Sequence, residues 1–105
     1  MALPRIILVP TDFGEPSEAA LDHAVDLAEL MGAEVVLMHA YEIPVIGMPD
    51  GAMALSAEMT GRILEGAKIG LDRQIAGYEG RGVRMRAIVK QGDAYRMIEE
   101  TCGEI

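Results

Sequence analysis

Continuous apolar runs alternate along this chain with amphipathic stretches. Ile6-Ile7-Leu8-Val9 has no polar break and is closed by Pro10. Four such residues cannot face water on alternate sides. They predict a short strand buried on both faces, as inside a parallel sheet. Pro10 has no N–H for a ladder and should end the strand. Thr11 and Asp12 then stand just past its carboxyl end, where open α/β sheets bind ligands. Leu21, Ala24, Val25, Ala28 and Met31 recur at helical spacing, widened by Ala20 and Leu27. Glu18, Asp22, Asp26 and Glu29 lie opposite. Ser17 is the expected N-cap, and Gly32 closes the helix. Residues 34–40 form a second buried strand, so this part is a parallel βαβ unit.

Residues 43–54 carry Pro44, Gly47, Pro49 and Gly51 and predict a loop. Leu55, Met59, Ile63, Ala67, Leu71, Ile75 and Tyr78 then recur every three or four residues and predict a long helix. Gly61, Gly66, Gly70 and Gly77 interrupt it, each at about 1 kcal/mol relative to Ala. Gly66 and Gly70 read as tolerated glycines more readily than as a place where another backbone comes close. Gly80-Arg81-Gly82 is a turn. Val83, Met85, Ala87 and Val89 alternate with Arg84, Arg86, Ile88 and Lys90, which fits a charged strand at a sheet edge. Asp93 is the expected N-cap of a last helix, whose buried stripe is Ala94, Met97, Ile98, Thr101, Cys102 and Ile105.

Composition narrows the class. The chain has 105 residues, one domain's worth, and half are hydrophobic, enough for a core. Nine basic against seventeen acidic residues leave a net charge of −8. That sum repels nucleic acid and anionic membranes, so neither is an expected partner. Cys102 is the single cysteine, and no Cys/His spacing suggests zinc. A strand starts almost at the N-terminus, leaving no room for a signal peptide, and no apolar run approaches the ~20 residues of a membrane span. The expected location is cytoplasmic. There is no phosphate-binding G-x-x-x-x-G-K-[ST], no G-x-G-x-x-G and no nucleophile elbow.

The order β-α-β-loop-α-β-α and the residues at its joints resemble the universal stress protein family. The resemblance rests on Ile7-Leu8-Val9-Pro10-Thr11-Asp12-Phe13, on Glu15-Pro16-Ser17-Glu18-Ala19-Ala20-Leu21, and on Gly32-Ala33. It continues through Leu37-Met38-His39-Ala40 and Gly92-Asp93. It implies a Rossmann-like α/β fold with an open parallel sheet and helices on both faces. The family's strand order is 3-2-1-4-5. Nucleotide-binding members hold ATP with the first strand's Asp and with a glycine signature after strand four, G-x-x-G, nine residues, then G-[ST]. By that resemblance Pro10, Thr11, Asp12 and Ala40 are the nucleotide-binding residues, with Ala40 lining the base. Two departures stand out. Gly14 replaces a common Ser, and the glycine signature is absent. The only glycines three apart are Gly77 and Gly80, and the third would fall on Lys90.

The expectation is therefore a single domain over 1–105, incomplete at the C-terminus, with strand order 3-2-1 and strands four and five missing. The most apolar strand becomes an edge, a template for pairing with another chain. A homodimer or higher homo-oligomer through Ile6 to Val9 is the expected assembly. The functional expectation is a stress-response protein, adenine-nucleotide binding by ancestry. ATP would bind weakly or not at all without the phosphate motif, and magnesium would enter only with nucleotide. The alternative is a dimerisation and interaction module that binds no nucleotide. No enzyme is expected, because no general base is paired with a nucleophile. A strand-end Asp12 that merely caps its turn is the plainer reading of that residue. His39 with Asp12 and Glu42 lacks a defined metal spacing and reads as a locally bonded histidine. His23 reads as solvated, and Cys102 as a small core residue. A metal or redox sensor through His39 and Cys102 is a third, weaker reading. Met38, Met59, Met85 and Met97 fall on expected core faces, leaving Met48 and Met53 in the loop as a lid or partner contact.

Overall fold

The computed structural model describes residues 5–42, 46–48, 51–53 and 57–105. Its centre is a three-stranded parallel sheet. β1 (Ile6–Pro10) pairs with β2 (Glu34–Tyr41), with Val9 beside Leu37, and β2 pairs in turn with a later strand, β5 (Met85–Gln91). This is the expected 3-2-1 order. β2, bonded on both sides, is buried from Val35 to Met38, as a continuous apolar run requires. β5 is an edge carrying Arg86 and Lys90, as its alternation predicts.

Odd- and even-numbered residues of β1 and β2 face opposite ways and meet different helices. Val9, Val35 and Leu37 form one core with Leu21, Ala24, Val25 and Ala28 of α1 (Glu15–Met31) and Leu71 of α2 (Ala57–Ala76). On the other face, Met38 meets Thr101 of α3 (Ala94–Glu104), whose hydroxyl lies 3.3 Å from the Met38 sulfur. Helices thus cover both faces. Gly32 ends α1 at φ +69, a left-handed value natural to glycine, and its N–H bonds to Ala28. Asp93 caps α3 by accepting from the Arg96 N–H at 3.1 Å.

The structure corrects several local expectations. α1 begins at Glu15, with Gly14 at the N-cap and no side-chain cap, because Pro16 suits the first helical turn and draws the start forward. Ser17 is therefore inside the helix. The predicted loop 43–54 holds a short antiparallel pair of strands, β3 (Ile46–Met48) and β4 (Gly51–Met53). The idea of Met48 and Met53 as a lid concerns side chains outside the described residues, as does Leu55. Leu27, Met31, Ile63 and Met59 are exposed rather than buried. The sheet is three strands wide, so helix stripes overhang it. Cys102 is exposed too. α3 buries only Met97 and Thr101, while Cys102 and Ile105 face a hollow beside β1.

Candidate functional site

β1 and β2 end side by side, and the chain leaves β1 through a tight bend before entering α1. This places Pro10, Thr11, Asp12 and Ala40 around one hollow of about 370 Å³, with Ser17 and His39 also lining it. Met38, Pro16 and Ala94 add apolar wall. The four residues singled out in the sequence are thus brought together.

Asp12 holds the bend. Its Oδ1 accepts the Gly14 N–H at 2.8 Å and lies 2.9 Å from the Ser17 hydroxyl. The Gly14 bond, then the Ser17 bond, hold its carboxyl below the usual carboxylate value. The capping role expected of a strand-end Asp is therefore present. A side chain at position 14 would put its Cβ 3.0 Å from this same oxygen, so Gly14 leaves room for the carboxylate. The Ser17 hydroxyl also lies 2.9 Å from the Gly14 carbonyl, and its one hydrogen serves one acceptor at a time.

Thr11 is buried. Its N–H bonds to the Met38 carbonyl at 2.8 Å, extending the sheet by one rung. Its hydroxyl accepts the Phe13 N–H at 3.0 Å and lies 3.1 Å from both Ser17 Oγ and Gln74 Oε1. Its carbonyl accepts from His39 Nδ1 at 2.8 Å. A carbonyl only accepts, so Nδ1 carries the hydrogen in this contact. His39 is the locally bonded histidine that its position suggests. Among the described residues no group of three or more His, Cys, Asp or Glu side chains is placed to hold a metal.

Phe13, Gly70 and Gln74 do not line the hollow but support its residues from behind, a role the sequence did not show. Phe13 adopts φ +65, rare for a residue with a Cβ. Its ring lies 4.5 Å from that of His39 and against Gly70 of α2. A Cβ on Gly70 would stand 2.7 Å from the ring. The glycine-punctured helix was the signal, but what comes close is a side chain. Gly66 has nothing within 4 Å and is simply tolerated. Gln74 reaches Thr11 through Oε1, while its buried Nε2 has no hydrogen-bond partner among the described residues.

A larger hollow, about 500 Å³, opens at the opposite end of the sheet, among Arg5, Glu29, Glu34, Arg81 and Arg84. There Arg81 bonds to Asp26 at 2.7 Å and to Glu29, and Arg86 pairs with Glu34 at 3.3 Å. Most of its charges already have partners, so size alone does not make it the site.

Solved structures of similar shape agree with this architecture. A protein of the universal stress protein family from Burkholderia pseudomallei is 24% identical over 94% of this chain and 73% of its own, with a TM-score of 0.75. A universal stress protein from Lactobacillus plantarum is 18% identical over 99% of this chain and 72% of its own, with a TM-score of 0.74. A third, a universal stress protein in complex with cAMP, is 21% identical over 95% and 64%, with a TM-score of 0.58. At these identities the likeness is one of fold. No curated protein matches the chain. No helix among the described residues is long and apolar enough to cross a membrane. The model of the Universal stress protein family matches residues 4–105, and the chain belongs to that family.

Proposed function

We propose that this chain is a cytoplasmic stress-response protein that binds an adenine nucleotide through its nucleoside half. The observation that carries the reading is the convergence of Pro10, Thr11, Asp12 and Ala40 on one hollow at the carboxyl ends of β1 and β2. Its volume falls within the usual range for small-molecule pockets. Pro10, Met38 and Ala40 offer apolar wall to a base. Asp12 stays ionised, because its pKa is lowered, and its Oδ2 has no hydrogen-bond partner among the described residues. That oxygen suits ribose hydroxyls. The structural neighbour in complex with cAMP lends the class support.

The phosphates fit less well. No Lys or Arg lines the hollow, and the glycine signature is absent from the chain. Magnesium would come with the phosphates and has no protein ligand set of its own here. The function is binding rather than catalysis, since the Thr11 and Ser17 hydroxyls are engaged in holding the bend. The bare phosphate side favours a second reading, an interaction module that takes no nucleotide.

Calorimetric titration with adenosine and with ATP–magnesium separates the two. Under the first reading both ligands bind in the micromolar to millimolar range, and ATP gains less than about tenfold over adenosine. Asp12→Asn removes the ribose acceptor while keeping an oxygen for the Gly14 N–H, and binding is lost. No heat from either ligand at millimolar concentration overturns the first reading and leaves the second.

A further inference from the structure

Among the described residues β5 pairs with β2 alone and forms one edge of the sheet. Ile105 lies beside Ile6 of β1, on the far side of β2, so this edge follows from the order β1-β2-β5 and not from the chain's last residue. In a parallel ladder alternate residues bond to a given neighbour. The Val35 N–H donates to the Arg84 carbonyl, and the Gly92 N–H to the Tyr41 carbonyl. Even-numbered residues of this segment therefore bond toward β2. The N–H and C=O of Met85, Ala87, Val89 and Gln91 point outward. Strand edges are closed to pairing by shortness, by proline, by a bulge or by charge. β5 runs seven residues in unbroken register and contains no proline. It is left with charge, which acts by sign. Even-numbered side chains face the α3 side, where Lys90 bonds to Glu104 at 2.9 Å. Arg84, Arg86 and Ile88 stand there at alternate positions. Arg84 has no ion-pair partner among the described residues. Arg86 meets Glu34 through Nε at 3.3 Å, which leaves both terminal nitrogens of its guanidinium. Arg86 and Ala87, on opposite faces, are both exposed, so neither α2 nor α3 covers them.

We propose that β5 takes an extended acidic segment of a partner protein as an added antiparallel strand. In that pairing the odd-numbered residues exchange the hydrogen bonds. The even-numbered ones occupy the non-bonded positions, where facing side chains come closest. The partner's residues opposite Ile88, Arg86 and Arg84 are then apolar, acidic and acidic in that order, at every second position. The same charges exclude a second copy of β5. Parallel pairing sets Arg86 against Arg86, and antiparallel pairing about Ile88 sets it against Lys90. The net charge of −8 opposes an acidic partner. Asp22, Asp26 and Glu29 lie on α1, however, across the sheet from Arg86, and charges more than ~8 Å apart are largely screened at physiological salt. Glu34 and Glu104 are engaged with Arg86 and Lys90. The contact holds whether or not the carboxyl end of the sheet takes a nucleotide.

Fluorescence polarisation of a labelled peptide, Thr-Ser-Thr-Val-Thr-Glu-Thr-Glu, titrated with the full chain tests it. Its Val and two Glu fall opposite Ile88, Arg86 and Arg84. Binding is expected at about 10 to 1,000 µM. Lys in place of the first Glu weakens it about three- to tenfold. Arg86→Glu, at an exposed position, reverses that order with an unchanged circular dichroism spectrum. Should Arg86→Glu lose its fold, Arg84→Glu with Lys in place of the second Glu makes the same comparison. N-methylation of the two Thr that face Val89 and Ala87 removes their donors and abolishes binding to the unaltered chain, which a contact of charges alone would survive. No binding at about 1 mM overturns the proposal. So does an N-methylated peptide that binds as well as its parent, or a charge-reversed variant that keeps the original order.

Discussion

The two ends of the sheet hold their polar groups in different ways. At the carboxyl end, Thr11, Asp12, Phe13, Ser17, His39 and Gln74 form a mostly neutral network around one carboxylate, part of it buried. At the amino end, Arg81 gathers Asp26 and Glu29 from the acidic face of α1 at the surface. Tyr78 bonds to Asp22 further along the same helix, in a separate hollow beside Gln74. The larger hollow lies at the amino end, yet its charges are largely paired off in water. The smaller one keeps an Asp12 carboxylate oxygen with no hydrogen-bond partner among the described residues, beside apolar wall. Residual capacity to bond, rather than volume, distinguishes a site from a gap between elements.

The sharpest way to break this contrast is Thr11→Val, which keeps the shape and removes the buried hydroxyl. It leaves the Phe13 N–H and Gln74 Oε1 without that partner, and unfolding in urea should show a loss of about 1–3 kcal/mol. Gly70→Ala comes next. Overpacking against Phe13 at about 1–3 kcal/mol outweighs a helix gain of about 1 kcal/mol, so the variant loses roughly 1 kcal/mol. Gly66→Ala, with open space around it, should instead gain up to about 1 kcal/mol. Equal shifts for the two glycines would remove Phe13 from the packing of this end. At the amino end, Arg81→Met should cost less than about 1 kcal/mol, and the difference from wild type should shrink in high salt, because the pairs are exposed.

The pH dependence is the smallest effect, and it runs in opposite directions for Asp12 and Tyr78. Asp12 has a folded pKa below its ordinary 3.8. Its contribution is full above that value and is lost as pH falls through the folded one. Burial, then the bond to Asp22, push Tyr78 from 10 up to about 12. Its contribution is full below 10 and is lost as pH rises through about 12. Unfolding midpoints across pH should lose the acid step in Asp12→Asn and the alkaline step in Tyr78→Phe. Retention of either step assigns it to another group.

Much of this was legible in the chain. Unbroken apolar runs marked β1 and β2, but only β2 is covered on both faces; β1 buries Val9, leaves Ile7 and Leu8 half-buried and Ile6 exposed, which corrects the expectation of a fully buried first strand. Gly32 and Asp93 marked helix ends through local backbone chemistry. The bend after Pro10 announced Thr11 and Asp12. Other features were not legible, because they join residues distant in sequence. Phe13 and Gly70 are 57 positions apart, Thr11 and Gln74 63. The stripe of α3 reads as buried through Cys102, but how far a stripe is covered depends on the width of the sheet beneath it, and this sheet is three strands wide.

The sequence by itself determined the βαβ unit, the later helix, strand and helix, and the placing of Thr11 and Asp12 at a strand end, because periodicity and turn chemistry are local; the strand order came with the family resemblance. The tertiary structure alone decided which of those residues are spent on holding the bend. Hydrogen-bond partners and burial are shared between elements, and no single stretch of chain carries both halves of a contact.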